Sequence, residues 1–151
     1  MIILDVMVIE SLQYTMAERE VFLLKYYKEY NANPWGLNIS DCVFRAISLI
    51  LDKPYREVVK ELKAYAGDDR RPINGNCFLP WLQTQGYEIR EFAIKITVSQ
   101  FMKNIHYGID ADKFDALLLV NGHLTAIKGG TCYDTWDCGR YKCQLLIIKE
   151  G

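Results

Sequence analysis

The last third of the chain limits the possible folds most. Four β-like runs follow one another there: "DALLLVNG" (115 to 122), "HLTAIKG", "TCYDTW" and "KCQLLIIKE" (142 to 150), with tight-turn signals between them. Runs joined in this way form an antiparallel sheet. The preceding two thirds read mainly as helices. "AEREVFLLKYYKEY" (17 to 30) has helical spacing and should end before "NANPWG". "SDCVFRAISLILD" (40 to 52) is apolar around most of its circumference, with Ser40 or Asp41 available as a cap. "KPYREVVKELKAYAG" carries Pro54 in its first turn and stops at Gly67. "CFLPWLQTQGY" predicts a short helix closed by Gly86, and "TVSQFMKNI" starts with a capping box, Thr97 followed by Gln100. "YEIREFAI" (87 to 94) alternates as a strand does, and "MIILDVMVIE" also reads as a strand. Helices first and strands last argue for an α+β fold.

The 151 residues hold no repeat and no low-complexity linker, so a single domain over 1–151 is expected. A hydrophobic fraction of 50% supplies a core without help from a disulfide or a metal. Net charge is −1 and no basic block is present, which argues against nucleic acid as a partner. No apolar run approaches the length of a membrane span. The apolar start lacks a basic n-region and carries Asp5, so it does not read as a signal peptide. Five cysteines without such a signal point to reduced thiols and the cytoplasm.

Two stretches carry chemistry. The first is "NGHLTAIKGGTCYDTWD" (121 to 137). Gly129-Gly130 is a two-residue hairpin signal, because both glycines tolerate positive φ. With that loop, Lys128 pairs with Thr131, Ile127 with Cys132, Thr125 with Asp134 and His123 with Trp136. His123, Thr125, Cys132, Asp134 and Trp136 then share one face, and Asp134 is a diagonal neighbour of His123. A three-residue loop would favour Asp137 instead. Asn121-Gly122 puts His123 near a sheet end. A carboxylate beside a histidine can be a structural contact, or it can orient the ring as a base. The second stretch is "NISDCVFRAIS" (38 to 48), where Cys42 falls in the first turn of a helix. Free amides and the helix dipole favour thiolate there, although a cysteine in an apolar helix is commonly a small core residue. Arg45, one turn on, can pair with a carboxylate beneath the site. The polar loop "GDDRRPINGNCF" either borders a groove or is a solvated connection. Trp136 could shield a His–Asp contact from water, and His106 reads as a helix-end residue. Cys132, Cys138 and Cys143 follow no zinc spacing, so no metal is expected.

The chain order Cys…His…Asp also carries a resemblance. "NISDCVFRAIS", the "KPYREVVKEL" helix and "NGHLTAIKGGTCYDTWDC" together resemble a family of small bacteriophage and prophage proteins with a papain-like cysteine peptidase fold. The resemblance covers roughly residues 38 to 143. It implies N-terminal helices packed on a C-terminal antiparallel sheet, with Cys42 as nucleophile, His123 as base and Asp134 as the orienting residue. Papain-like enzymes also place a Gln or Asn a few residues before the cysteine. The usual spacing falls here on Gly36, and Asn38 is the candidate oxyanion donor beside the Cys42 amide. The expected activity is a cysteine hydrolase acting on a peptide or isopeptide bond through an acyl-enzyme, without a cofactor. Its substrate would be a protein or peptide, a host protein included, met in the bacterial cytoplasm. The same residues also suit a catalytically degenerate binding module or inhibitor of a host factor, or an acyl transferase.

Overall fold

A computed structural model describes residues 26–36, 40–108 and 110–149. The expected strand over 1 to 10, most of the helix over 17 to 30, and Asn38 lie outside those residues. The elements run β1 (Tyr27–Glu29), α1 (Cys42–Leu51), α2 (Tyr55–Ala66), α3 (Gly75–Thr84), β2 (Tyr87–Glu91), α4 (Val98–Tyr107), β3 (Ala116–Val120), β4 (His123–Lys128), β5 (Thr131–Asp134) and β6 (Cys143–Lys149). The fold is α+β, with four helices and a six-stranded mixed sheet among the described residues, in the order β1-β5-β4-β3-β6-β2. Among those residues no helix is long and apolar enough to cross a membrane.

The centre of the sheet is the antiparallel set β5-β4-β3-β6. Its two hairpins turn on Asn121-Gly122 and Gly129-Gly130, all four residues at positive φ as two-residue loops of this kind require. Helices cover both faces, which explains why β3 is an unbroken apolar run, ALLLV. Leu117, Leu124, Ala126 and Ile147 pack under α1, α2 and α3, alongside Val43, Ile47, Val58, Leu62 and Phe78. On the other face Ala116, Leu118, Ile127, Leu146 and Ile148 pack against Phe101, Met102 and Ile105 of α4.

Local chemistry accounts for most element ends. At the start of α4 the Gln100 amide donates to Thr97 Oγ1 (3.1 Å) and the Thr97 amide donates to Gln100 Oε1 (2.8 Å), a complete capping box. Gly67 closes α2. His106, in the last turn of α4, bonds through Nε2 to the Gly130 carbonyl (2.7 Å), which ties that helix to the β4–β5 turn.

Several expectations need correcting. Residues 27 to 29 are not the end of a helix but a strand, β1, paired in parallel with β5 from Tyr27↔Cys132 to Glu29↔Asp134. The sheet is therefore not confined to the last third: β1 and β2 form its two edges. Helix α3 starts at Gly75, ahead of the expected Cys77, and contains Pro80; Gly86 closes it as expected, at positive φ just after the C-cap Gln85, with its amide bonded to the Gln83 carbonyl (3.1 Å). Asp41 occupies the N-cap of α1 but makes no capping bond, because its carboxylate is engaged elsewhere.

The two turn glycines at Gly122 and Gly130 separate strain from space. A Cβ on Gly122 meets nothing within 4 Å, whereas one on Gly130 would press into the Ala111 carbonyl. Both sit at positive φ, which costs a residue with a side chain roughly 1–2 kcal/mol. Gly122→Ala should lower stability to urea by about that amount, and Gly130→Ala by clearly more. Equal losses would mean that the β4–β5 turn can move away from Ala111.

Candidate active site

The site forms where β4 and β5 part. Their ladder runs Lys128↔Thr131, Ile127↔Cys132 and Ala126↔Tyr133, then stops. The expected pairings Thr125–Asp134 and His123–Trp136 are not made. Beyond Tyr133 the chain keeps its pairing with β1 through Asp134, and the Thr135 amide donates to Asp134 Oδ1 (2.7 Å). Asp134 nevertheless stays on the face that the two-residue loop predicts, and its Oδ2 lies 2.6 Å from His123 Nε2. Asp137 accepts from the Gly139 amide instead.

Splaying the hairpin also frees a backbone donor. Val120 and His123 close the β3–β4 hairpin, so the polar groups of Leu124 point away from β3, toward the place β5 has left. Cys42, first residue of α1, fills that place. Its thiol interacts with the His123 ring and with the backbone of Leu124. Nε2 of His123 is held by Asp134, so Nδ1 is the nitrogen left for sulfur.

Burial alone would raise the Cys42 pKa. The hydrogen bond with His123, the Leu124 backbone bond and the charges of His123 and Arg45 outweigh it and bring the thiol below its ordinary value. Burial likewise disfavours the charged ring of His123, but hydrogen bonds with Asp134 and Cys42 and their negative charges push its pKa up to about 9. Both shifts favour the same state, a thiolate beside an imidazolium. The amides of the first turn of α1 add to it. Asp41 supplies no side-chain cap, so the Cys42, Val43 and Phe44 amides have no acceptor within the helix.

A buried polar array holds the pair in place. Arg45 Nη1 is bonded to Asp41 Oδ1, and its Nη2 stands 3.9 Å from Asp134 Oδ1. Asp41 Oδ2 accepts from Tyr55 Oη (2.6 Å) and Asn33 Nδ2 (3.0 Å). The Asp134 carbonyl accepts from the Tyr30 amide (2.8 Å) and from Tyr27 Oη (3.3 Å). Asp41 belongs to this array and not to a helix cap; the four-residue spacing of Asp41 and Arg45 was its one signal in the sequence. The Leu124 amide had no such signal, since only the parting of two strands exposes it. Trp136 packs on the His123 ring at a tilt of 44°, centroids 4.7 Å apart, and Tyr141 meets Trp136 edge-on at 5.2 Å.

The three remaining cysteines of the sheet region lie behind this arrangement. Ligand atoms of His123, Asp134 and Cys138 fall within 4.8 Å of one another, a grouping that could attract a metal. The 2.6 Å between His123 and Asp134 is a hydrogen-bond length, however. Two ligands on one tetrahedral zinc, with bonds of about 2.0–2.2 Å, would stand roughly 3.3–3.6 Å apart. Hydrogen bonding to Cys132 and burial raise the Cys138 thiol, and burial raises Cys143. Cys42 alone among the five cysteines is not buried.

That difference in exposure decides how the site should be tested. Faster alkylation of Cys42 than of the buried thiols would follow from access alone. The pH profile is the sharper readout. The thiolate should persist below the ordinary thiol range, so the rate at which iodoacetamide labels wild-type Cys42 should level off at a lower pH than that of an ordinary thiol. In His123→Ala the rate should instead climb about tenfold per pH unit toward the ordinary thiol range. Asp134→Asn should lie between the two, because the ring loses the charge that holds its proton. Superimposable profiles for all three proteins would mean that no ion pair exists.

No protein-family model matches the chain, and neither does any curated protein or any solved structure. The reading of the site rests on its own geometry.

Proposed function

We propose that the chain is a cysteine hydrolase of the papain-like type, cleaving a peptide or isopeptide bond in a protein substrate. The observation that carries this reading is the Cys42–His123–Asp134 alignment: a thiol of lowered pKa at a helix start, a histidine of raised pKa, and a buried carboxylate on the far ring nitrogen. These are the roles of nucleophile, general acid–base and orienting group. The resemblance of residues 38 to 143 to bacteriophage proteins supports a phage-associated enzyme that meets its substrate in the host cytoplasm.

In this mechanism the Cys42 thiolate attacks the acyl carbon. The carbonyl oxygen becomes an oxyanion facing the amides at the start of α1, with the Asn38 side chain as a second donor. As the C–N bond breaks, the Nδ1 proton of His123 passes to the leaving amine, and a thioester remains on Cys42. Neutral His123 then takes a proton from water. The resulting hydroxide displaces sulfur, the acid departs, and the thiolate–imidazolium pair is restored. Through both halves the Nε2–Asp134 bond keeps Nδ1 pointed at the reacting atoms and stabilises the charged ring.

The pH dependence of kcat/KM follows from the two shifts. His123 has a raised pKa, so its proton is available up to about pH 9 and is lost above it. Cys42 has a lowered pKa, so its thiolate is lost only on the acid side. A bell with its basic limb near pH 9 is expected. The direct test is to treat a peptide library with the purified chain, quench in acid, and search for an acyl adduct on Cys42 by mass spectrometry. Cys42→Ser should give neither thioester nor product, and Asp134→Asn should lower kcat by about 10²–10⁴ while the fold is kept. A product joined to an added amine would indicate transfer. Unchanged biological activity of Cys42→Ser would favour a binding module over an enzyme.

A further inference from the structure

Two hollows share Cys42 as a wall, and they differ in size and character. One lies toward Arg45, Asp134, Tyr30 and Tyr133, with a volume of about 10 Å³. That is room for about one water and for no substrate side chain. The other is an open cavity of about 390 Å³ on the opposite side, walled by Val43, Phe78, Leu119 and Leu124, with Ile73 on its rim. Ser40, Asn74 and the backbone of Gly75 and Gly122 complete it, and no charged residue lines it among those described. The charged part of the "GDDRRPINGNCF" loop stays outside, while its Ile73-Asn74-Gly75 end reaches the wall.

Size and position together indicate what this cavity receives. Its volume is at the lower end of the range of small-molecule sites, roughly 300–1,000 Å³. A carbonyl carbon attacked by Cys42 must approach sulfur to about 3–3.5 Å. Of these two hollows among the described residues, only the larger has room for a group one or two bonds from that carbon. There it would lose water against Val43, Phe78, Leu119 and Leu124. A charged group would find no partner among the described lining residues and would be strongly disfavoured.

We propose that this cavity is the specificity pocket of the enzyme, and that the substrate carries an uncharged aliphatic or aromatic side chain on the residue flanking the scissile bond. This inference rests on the reading of Cys42 as a nucleophile. Ile73 is a specificity-determining residue on this account: it is large, apolar and 41% exposed at the mouth of the cavity, so its side chain gains a contact only when an apolar group arrives.

The test uses the intact chain and three thiol reagents: iodoacetamide, an N-(2-phenylethyl) chloroacetamide, and a chloroacetamide of similar length ending in a carboxylate. Each rate on Cys42, read by mass spectrometry, is divided by that reagent's rate on glutathione. The phenylethyl reagent should exceed the carboxylate reagent by about tenfold or more, the scale on which apolar pockets discriminate. In Ile73→Asn, which removes the apolar contact without adding a charge, that ratio should fall several-fold. Because it is a ratio of two reagents on one protein, a change in thiol reactivity cancels. Iodoacetamide separates the two ways of failing. If it labels Cys42 with the His123-dependent pH profile but the two chloroacetamides react alike, the pocket is overturned and the hydrolase reading stands. If the iodoacetamide profile shows no dependence on His123, both are overturned. A preference that survives intact in Ile73→Asn would remove Ile73 from the pocket.

Discussion

Arg45 is a buried cation between two buried carboxylates, and the geometry of the site depends on it. It extends from the second turn of α1 to Asp41 at the helix start and toward Asp134 at the end of β5. Desolvating these three charges is costly, and the array is tolerable because every carboxylate oxygen in it has a partner. Asp41 receives Tyr55 and Asn33 in addition to Arg45. Asp134 receives Thr135 on one oxygen and His123 on the other. Removing Arg45 would strip two buried carboxylates of their shared cation, a loss of about 3–5 kcal/mol in comparable cases. The consequence for function is positional. Arg45 links the helix that carries Cys42 to the strand that carries Asp134, although the two elements lie far apart in the chain.

The Cys42–His123 contact follows from that linkage. A cysteine brought this close to a sheet would ordinarily be a neutral, inert thiol, because burial opposes charge. Three features reverse the balance here. The parting of β4 and β5 leaves the Leu124 backbone facing sulfur. The helix start contributes uncapped amides. The imidazole, its far nitrogen held 2.6 Å from a carboxylate, keeps a proton well above its usual range. Trp136 packs against that ring at a tilt of 44° and covers part of its surface. Where burial raises a thiol with no such compensation, as at Cys143, the result is an unreactive core residue.

Much of this was legible in the sequence because it is encoded locally. Thr97 and Gln100 form a capping box from four adjacent residues, and Gly129-Gly130 fixes a hairpin parity that puts Asp134, not Asp137, beside His123. What was not legible is encoded between distant residues. Strand β1 is three residues long and exists through its pairing with β5, so helical spacing extended through Tyr27 with nothing to interrupt it. Asp41 looks like a cap until Tyr55 and Arg45 draw its carboxylate inward. Trp136 reaches His123 as expected, but from outside the ladder, because Thr135 bonds back to Asp134. The Leu124 amide carries no side-chain signal at all.

The central claim is that His123 is protonated beside a Cys42 thiolate, and nitrogen NMR of the imidazole tests it most directly. In wild-type protein both ring nitrogens should carry protons at neutral pH, with deprotonation at about pH 9. Replacing Cys42 by serine removes the thiolate and should move that transition clearly downward, while the Nε2 signal keeps its hydrogen bond to Asp134. A wild-type ring that is neutral above its ordinary pKa of 6.5, with the same titration in both proteins, would contradict the account.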